Sequence, residues 1–227
     1  MKGRIAFVAI LSALTAACVG GGEVRRPVRT SRPATRPAPR PAPVYADDAA
    51  YRLCTANLTA TQVTFSPLPN EEKGSGCALI GTVKLLDYGT PTTNLGPMTC
   101  EVAARFIAWV RYAVRPAARL YFGSDVAQVE TYGTYACRNI VGNPNMAGKR
   151  SEHAHGNAVD IAAFVLADGR RISIQNNWAS GGVESQFLHR VHDSACKRFK
   201  TVLSPDYNAA HYNHLHFDMG GKGGYCR

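Results

Sequence analysis

Two short histidine-containing stretches constrain what this chain can fold into more than any other part of its sequence. They are residues 151–160 (SEHAHGNAVD) and residues 211–218 (HYNHLHFD). They contain three side chains of the types that ligate zinc, His153, Asp160 and His216. Three protein ligands with an open fourth position are typical of a catalytic zinc site. We therefore predict that the two stretches fold together around a single Zn2+ ion.

The first stretch leads into a predicted buried strand. Residues 159–165 are apolar except for Asp160, and a lone carboxylate in such a run is costly unless a cation lies beside it. A turn at residues 168–169 predicts a hairpin into residues 171–174. Gly156 permits a tight backbone turn just before Asp160.

The second stretch predicts another strand, over residues 214–218. Side chains alternate between the two faces of a strand, so His214, His216 and Asp218 share one face. Imidazoles on one face can converge on one ion. Asp218 is then expected to orient a ligating histidine through a hydrogen bond.

These residues resemble a known group of zinc peptidases. The pattern Ser-x-His-x-x-Gly-x-Ala-x-Asp followed by His-x-His is similar to that of the lysostaphin, D-Ala-D-Ala metallopeptidase and hedgehog group, and the His-x-x-His-x-His ending resembles the penicillin-insensitive murein endopeptidases. The chain also resembles the bacterial extensin-like C-terminal family. The similarity covers most of residues 75–218 and is carried by residues 133–138, 151–164, 201–206 and 211–218.

The resemblance implies a zinc-dependent hydrolase that cleaves an amide bond in the stem or cross-link peptides of peptidoglycan. It implies that His214 transfers a proton and that His211 holds the developing oxyanion. Zinc lowers the pKa of a bound water to about 7, the range in which an imidazole titrates. Ser151 and Arg138 are candidate substrate-binding residues, whereas His155 fits no ligand pattern.

The same residues have other interpretations. A structural zinc needs a fourth protein ligand, and His214 or His211 has the right chemistry to be one. The domain would then be a non-catalytic module that binds the cell wall, because a fold does not by itself guarantee activity. The residues also do not distinguish an endopeptidase from a carboxypeptidase or an amidase.

The beginning of the chain has the pattern of an export signal followed by a linker. Two cations precede an apolar run, so residues 1–17 are predicted to be a signal peptide, and Cys18 is a candidate for lipidation. Residues 18–47 contain Arg-Pro and Ala-Pro repeats that favour extended polyproline II. We predict that residues 48–227 form one zinc peptidase-like domain.

The cysteine content predicts disulfides. Without Cys18, six of the seven cysteines remain, an even number that predicts up to three bridges in an exported chain. Buried free thiols are the alternative, and the sequence leaves the pairing open. The disulfide candidates are Cys54, Cys77, Cys100, Cys137, Cys196 and Cys226.

The net charge of +10 narrows the classes of partner. A basic exported domain suits the anionic peptidoglycan of the cell wall, and no nucleic-acid-binding motif accompanies the charge. The sequence also contains no Gly-x-Ser-x-Gly elbow and no phosphate-binding glycine loop. We therefore expect a periplasmic protein, anchored to the outer membrane if Cys18 is lipidated.

The remaining segments predict an α+β fold. Residues 49–98 are predicted to form short strands and loops. Two amphipathic helices are predicted at residues 99–114, with Thr99 as the cap, and at residues 184–200, with a strand at residues 128–136 between them. This order predicts a small antiparallel sheet with flanking helices and the zinc site on one face of the sheet.

Overall fold

A mainly antiparallel sheet carries both histidine-containing stretches. The computed structural model describes residues 42–227. Its strands are β1 (Thr64–Pro67), β2 (Glu71–Gly74), β3 (Cys77–Leu79), β4 (Thr82–Asp87), β5 (Met98–Thr99), β6 (Val126–Gly133), β7 (Ala158–Leu166), β8 (Arg171–Ser173), β9 (Thr201–Leu203), β10 (Leu215–Asp218) and β11 (Tyr225–Cys226).

Helices account for much of the remaining chain. They are α1 (Ala49–Ala60), α2 (Cys100–Trp109), α3 (Arg115–Phe122), α4 (Ile174–Asn177) and α5 (Val183–Cys196). A π-helical turn (Val110–Val114) joins α2 to α3, and short 3-10 turns occur at Pro144–Met146, Glu152–His155 and Ala209–His211. The predicted α+β class is confirmed.

The largest sheet has the strand order β11-β9-β10-β7-β6, and β8 pairs with β7. Its pairings are antiparallel except that of β11 with β9. Strand β7 is buried at eight of its nine positions, because it pairs on both edges and lies at the centre of the fold. The remaining strands form a three-stranded sheet (β1-β4-β5) and the β2-β3 hairpin.

The core lies between this sheet and helices α2 and α5. The Trp109 ring packs edge-on against Phe217 at 5.0 Å and near Phe164 at 5.9 Å, and its Nε1 donates to the Val191 carbonyl at 2.8 Å. The predicted cap is confirmed, since the Thr99 hydroxyl accepts from the Val102 amide. The site therefore rests on a well-packed aromatic layer.

Two predicted boundaries were wrong. Residues 49–60 form α1 and not strands or loops, since the Asp48 carboxylate accepts from the Tyr51 amide at 3.0 Å and caps a helix. This helix buries only Leu58, so its sequence lacks the apolar periodicity that reveals a helix. The second predicted helix ends at Cys196 and not at residue 200, because the backbone amide of Lys200 already bonds to Asp218 at the sheet.

All six candidate cysteines form disulfides, so the predicted bridging is confirmed. The pairs are Cys54–Cys100, Cys77–Cys137 and Cys196–Cys226. The first bridge joins α1 to α2, and the third joins the end of α5 to β11.

The predicted signal peptide (residues 1–17), Cys18 and residues 18–41 of the predicted linker lie outside the described residues. Within residues 42–227, no helix has the length and the apolar character that crossing a bilayer requires.

Candidate metal centre

The three predicted ligands converge at one point of the sheet. The Nε2 atom of His153 lies 3.1 Å from Nδ1 of His216 and 3.1 Å from Oδ2 of Asp160. Nδ1 of His216 lies 2.9 Å from Oδ1 of Asp160. All three side chains are buried. The fold thus closes a triangle of ligand atoms from residues as far as 63 positions apart in sequence.

Sheet pairing sets the positions of Asp160 and His216. Asp160 in β7 is the registered partner of His216 in β10, and directly opposed residues of an antiparallel pair project from the same face. On its other edge Asp160 faces Gly133 of β6, so no side chain crowds the carboxylate from that strand.

His153 is presented by a 3-10 turn. The Ser151 hydroxyl accepts from the His153 amide at 3.3 Å, and Gly156 ends the turn with φ = 62°. A Cβ on Gly156 would lie 3.1 Å from both Leu79 and the Pro97 carbonyl oxygen. Both the backbone conformation and the available space therefore favour glycine, and the predicted tight turn is confirmed.

In each histidine of the cluster, the ring nitrogen that points away from the other ligands has a hydrogen-bond partner. Nδ1 of His153 lies 3.1 Å from the Thr134 carbonyl oxygen, which can only accept, so Nδ1 carries the proton and Nε2 presents its lone pair. Nε2 of His216 lies 2.8 Å from Oδ2 of Asp218. Contacts of this kind fix the tautomer and the ring orientation of metal-ligating histidines.

The charge of Asp160 is balanced inside the cluster. Burial raises the pKa of this carboxyl, but its polar contacts with His153 and His216 outweigh burial and hold the pKa well below its ordinary value. Burial lowers the pKa of His216, whereas its hydrogen bonds to Asp160 and Asp218 raise it to about 9. A divalent cation at this point would replace the proton on His216.

The donor set fits zinc. Tetrahedral bonds of about 2.0–2.2 Å place neighbouring ligand atoms about 3.3–3.6 Å apart. Here the two ring nitrogens lie 3.1 Å apart, and each lies 2.9 to 3.1 Å from one of the two Asp160 oxygens. A shift of a few tenths of an ångström would accommodate the ion. Two imidazoles and one carboxylate also match zinc better than calcium, which takes about six to eight oxygen ligands.

Two further histidines border the cluster. Nε2 of His214 is 3.7 Å from Oδ1 of Asp160, and its Nδ1 is 2.9 Å from Oδ1 of Asn213. The ring of His211 lies 5.0 Å from that of His214. Burial lowers the pKa of both rings, to about 4 for His211, so both are mainly neutral at pH 7.

A cleft of about 590 Å³ opens onto these rings. The predicted substrate-binding residues Ser151 and Arg138 both line it, together with His211, His214 and His216. Its other side chains are mainly apolar or cationic, and they include Ile140, Val141, Met146, Arg150, Leu203, Tyr207, Lys222 and Tyr225. The volume lies in the range of small-ligand sites.

The family comparison covers the part of the chain that contains this cluster. The family model described as Extensin-like protein C-terminus matches residues 52–227. The chain belongs to this family. No curated protein and no solved structure matches it. The matched range contains the whole cluster, the cleft and all three disulfides.

Sequence reasoning did not single out Thr134, Asn208 or Asn213, which hold histidines of this site. Thr134 acts through its backbone carbonyl, so no side-chain pattern could reveal it. Asn208 and Asn213 each contact a histidine through Oδ1. An asparagine three residues before His211 was the one available signal, because asparagine favours the cap of a helical turn.

A second group of potential ligands consists of one histidine and the two cysteines of a disulfide. His192 is buried, and its Nε2 lies 3.9 Å from Sγ of Cys196 and 4.0 Å from Sγ of Cys226. The two sulfurs are bonded to each other, so they offer no thiolate to a metal. Within the described residues the other candidate ligand group is that of His153, Asp160 and His216.

Proposed function

We propose that this protein is an exported zinc-dependent hydrolase that cleaves an amide bond in peptidoglycan stem or cross-link peptides. The observation that carries the proposal is the triangle of His153, Asp160 and His216 beside a cleft with two further neutral histidines. The similarity of its ligand pattern to the lysostaphin, D-Ala-D-Ala metallopeptidase and hedgehog group supports the same conclusion.

The proposed chemistry divides between the ion and the protein. His153, Asp160 and His216 hold the zinc, which when bound polarises a carbonyl and lowers the pKa of water towards neutrality. His214 has its Nδ1 beside the Asn213 amide oxygen, which can only accept. Its Nε2 is therefore free to take a proton and to pass it to the leaving amine.

The cleft suits an anionic peptide. The guanidinium of Arg150 donates to the Ser75 carbonyl and to the side-chain oxygen of Asn139. The guanidinium of Arg138 has one hydrogen-bond acceptor among the described residues, the Asn139 carbonyl at 3.3 Å. The guanidinium of Arg138 therefore has donors left for a carboxylate or for a developing negative oxygen. Lys222 is a third cation in the lining, beside Arg138 and Arg150, and the lining also contains the carboxylates of Glu152 and Asp218.

One observation favours a non-catalytic alternative. Nε2 of His214 lies 3.7 Å from Asp160, close enough to approach the same ion as a fourth protein ligand. Such a closed site is typical of structural zinc. The domain would then be a cell-wall-binding module with a structural metal.

Zinc content and wall digestion, measured on the same samples, test the proposal. We expect zinc-loaded protein to release new muropeptides, identified by mass spectrometry, and a chelator to abolish them until zinc is returned. His153→Ala should lose both zinc and products. His155→Ala is the matched control, because His155 lies two residues away and outside the ligand cluster, and it should keep both.

The variant His214→Ala separates the enzyme from the module. An enzyme with three protein ligands should retain zinc within about threefold of the wild-type affinity and lose turnover. A four-ligand structural site should lose zinc affinity in this variant. Failure of the zinc-loaded wild type to cleave any wall peptide would rule out the hydrolase.

A further inference from the structure

The side-chain amide of Asn208 has its orientation fixed from both ends. Its Nδ2 lies 3.0 Å from the carbonyl oxygen of Gly142, which can only accept, so the nitrogen must be on that side. Its Oδ1 accepts from the backbone amide of Ala210 at 3.0 Å and lies 2.7 Å from Nδ1 of His211. The hydrogen-bond network therefore excludes the flipped amide.

The surrounding backbone holds this arrangement in place. Gly142 has φ = 76°, and a Cβ on it would lie 2.7 Å from the Ala210 side chain and 2.9 Å from Nδ2 of Asn208. The loop that carries Gly142 and the turn that carries His211 thus interlock through Asn208. Both segments contribute to the wall of the cleft.

The tautomer of His211 follows from these contacts. An amide oxygen accepts and does not donate, so Nδ1 of His211 carries the proton. The neutral ring has a single N–H, which leaves a lone pair on Nε2. Nε2 has no hydrogen-bond partner among residues 42–227, and the ring lines the cleft.

We propose that Asn208 is a positioning residue that keeps His211 as a hydrogen-bond acceptor, and that His211 receives an N–H of the peptide substrate. The substrate part of this inference rests on the proposed hydrolase. A developing oxyanion needs a donor, and His211 in this tautomer offers none at Nε2. The guanidinium of Arg138, which lines the same cleft, is the group that can supply that donor.

A purely structural role for Asn208 makes a different prediction. Asn208 caps the turn Ala209–His211 through its contact with Ala210, and serine is also an effective cap. Asn208→Ser keeps the cap, but its side chain is too short to reach the His211 ring. Asn208→Asp keeps both acceptor contacts and loses the donation to Gly142, while Asn208→Ala loses all three.

Long-range 1H–15N NMR of histidine-labelled, zinc-loaded full chain at pH 8 reads the tautomer directly. We expect His211 to be protonated at Nδ1 in the wild type and in Asn208→Asp, and to gain the Nε2-protonated form in Asn208→Ser and Asn208→Ala. A wild-type ring protonated at Nε2, or an unchanged tautomer in Asn208→Ser, overturns the inference. This measurement needs no turnover, so it is independent of whether the chain is a hydrolase.

Kinetics on a cleavable muropeptide test the substrate part. We expect kcat/KM to fall about tenfold in Asn208→Ser and to stay within about threefold in Asn208→Asp, the scale of one hydrogen bond. Asn176→Ala is the matched control, because this asparagine is exposed in α4 and does not line the cleft. It should stay within about twofold.

A modified substrate locates the N–H itself. Methylation of each backbone nitrogen next to the scissile bond should reveal one position that weakens the wild type about tenfold but affects Asn208→Ser much less. Equal losses in both proteins at every position overturn the contact between His211 and the substrate.

Discussion

Replacement of Asp218 tests how strongly its hydrogen bond with Nε2 of His216 controls metal binding. One carboxylate oxygen of Asp218 accepts from Nε2 of His216 at 2.8 Å, and the other accepts from the Gly220 amide at 2.8 Å. Asp218→Asn has nearly the same shape but only one accepting oxygen. One of the two donors must then face an NH2 group inside a buried site.

The expected magnitude follows from that loss. Changes to the partners of metal-ligating histidines typically cost about 10–100-fold in metal affinity, which corresponds to about 1.4–2.7 kcal/mol. Because both side chains are buried, we expect a value in the upper half of this range. His216 remains present, so zinc binding should weaken without being abolished.

Competition with a chromophoric chelator measures the zinc dissociation constant. Asp206→Asn is the matched control, since it makes the same charge change at an exposed position and should leave the affinity unchanged. Near-ultraviolet circular dichroism checks that both variants are folded. If Asp218→Asn binds zinc as tightly as the control, the ligand assignment of His216 or the role of Asp218 is wrong.

Three further outcomes are expected. Metal-free protein should lose about 3 kcal/mol of unfolding free energy as the pH rises from 6.5 to about 9. The folded-state pKa of His216 is raised to about 9, so the stabilisation from its proton is fully present below about pH 6.5 and is lost as the pH rises through 9. Urea unfolding checks this, and zinc-loaded protein should not show the fall. Replacing Cys196 and Cys226 together by serine should lower the free energy of unfolding by about 3.5 kcal/mol, since the bridge closes a separation of 30 residues. Guanidinium unfolding measures this, and an unchanged unfolding midpoint would contradict the prediction. Gly156→Ala should lower stability by about 2 kcal/mol and weaken zinc binding, because the positive φ of Gly156 and its 3.1 Å contacts both oppose a methyl group. The control is Gly181→Ala, at a glycine with φ = 72° and no neighbour within 4 Å. This control should cost only about 1 kcal/mol and leave zinc affinity unchanged.

The sequence was most informative where strand geometry is regular. Alternation along residues 214–218 and the isolated charge at Asp160 predict which side chains share a face. His216 contacts both Asp160 and Asp218, as predicted, but β10 begins at Leu215 and leaves His214 just outside the strand. The register that makes Asp160 the partner of His216 depends on pairing between distant segments. The sequence indicated that these residues meet, but it could not give their distances.

Other features depend on contacts that leave no sequence pattern. Helix α1 buries a single side chain and is tied to α2 by the Cys54–Cys100 bridge, so hydrophobic periodicity could not reveal it. The tautomers of His153 and His211 depend on a backbone carbonyl and on a distant amide. Such partners become visible only when loops far apart in sequence are brought together.

The paired register of β7 and β10 has a practical consequence for spectroscopy. Backbone hydrogen bonds hold Asp160 opposite His216, so the two side chains should keep their spacing when the ion is exchanged. Cobalt(II) should therefore enter the proposed zinc site of the folded apoprotein and serve as a coloured, paramagnetic reporter. Its visible absorption would show the number of coordinating groups, and it would register the arrival of a peptide in the cleft without any need for cleavage.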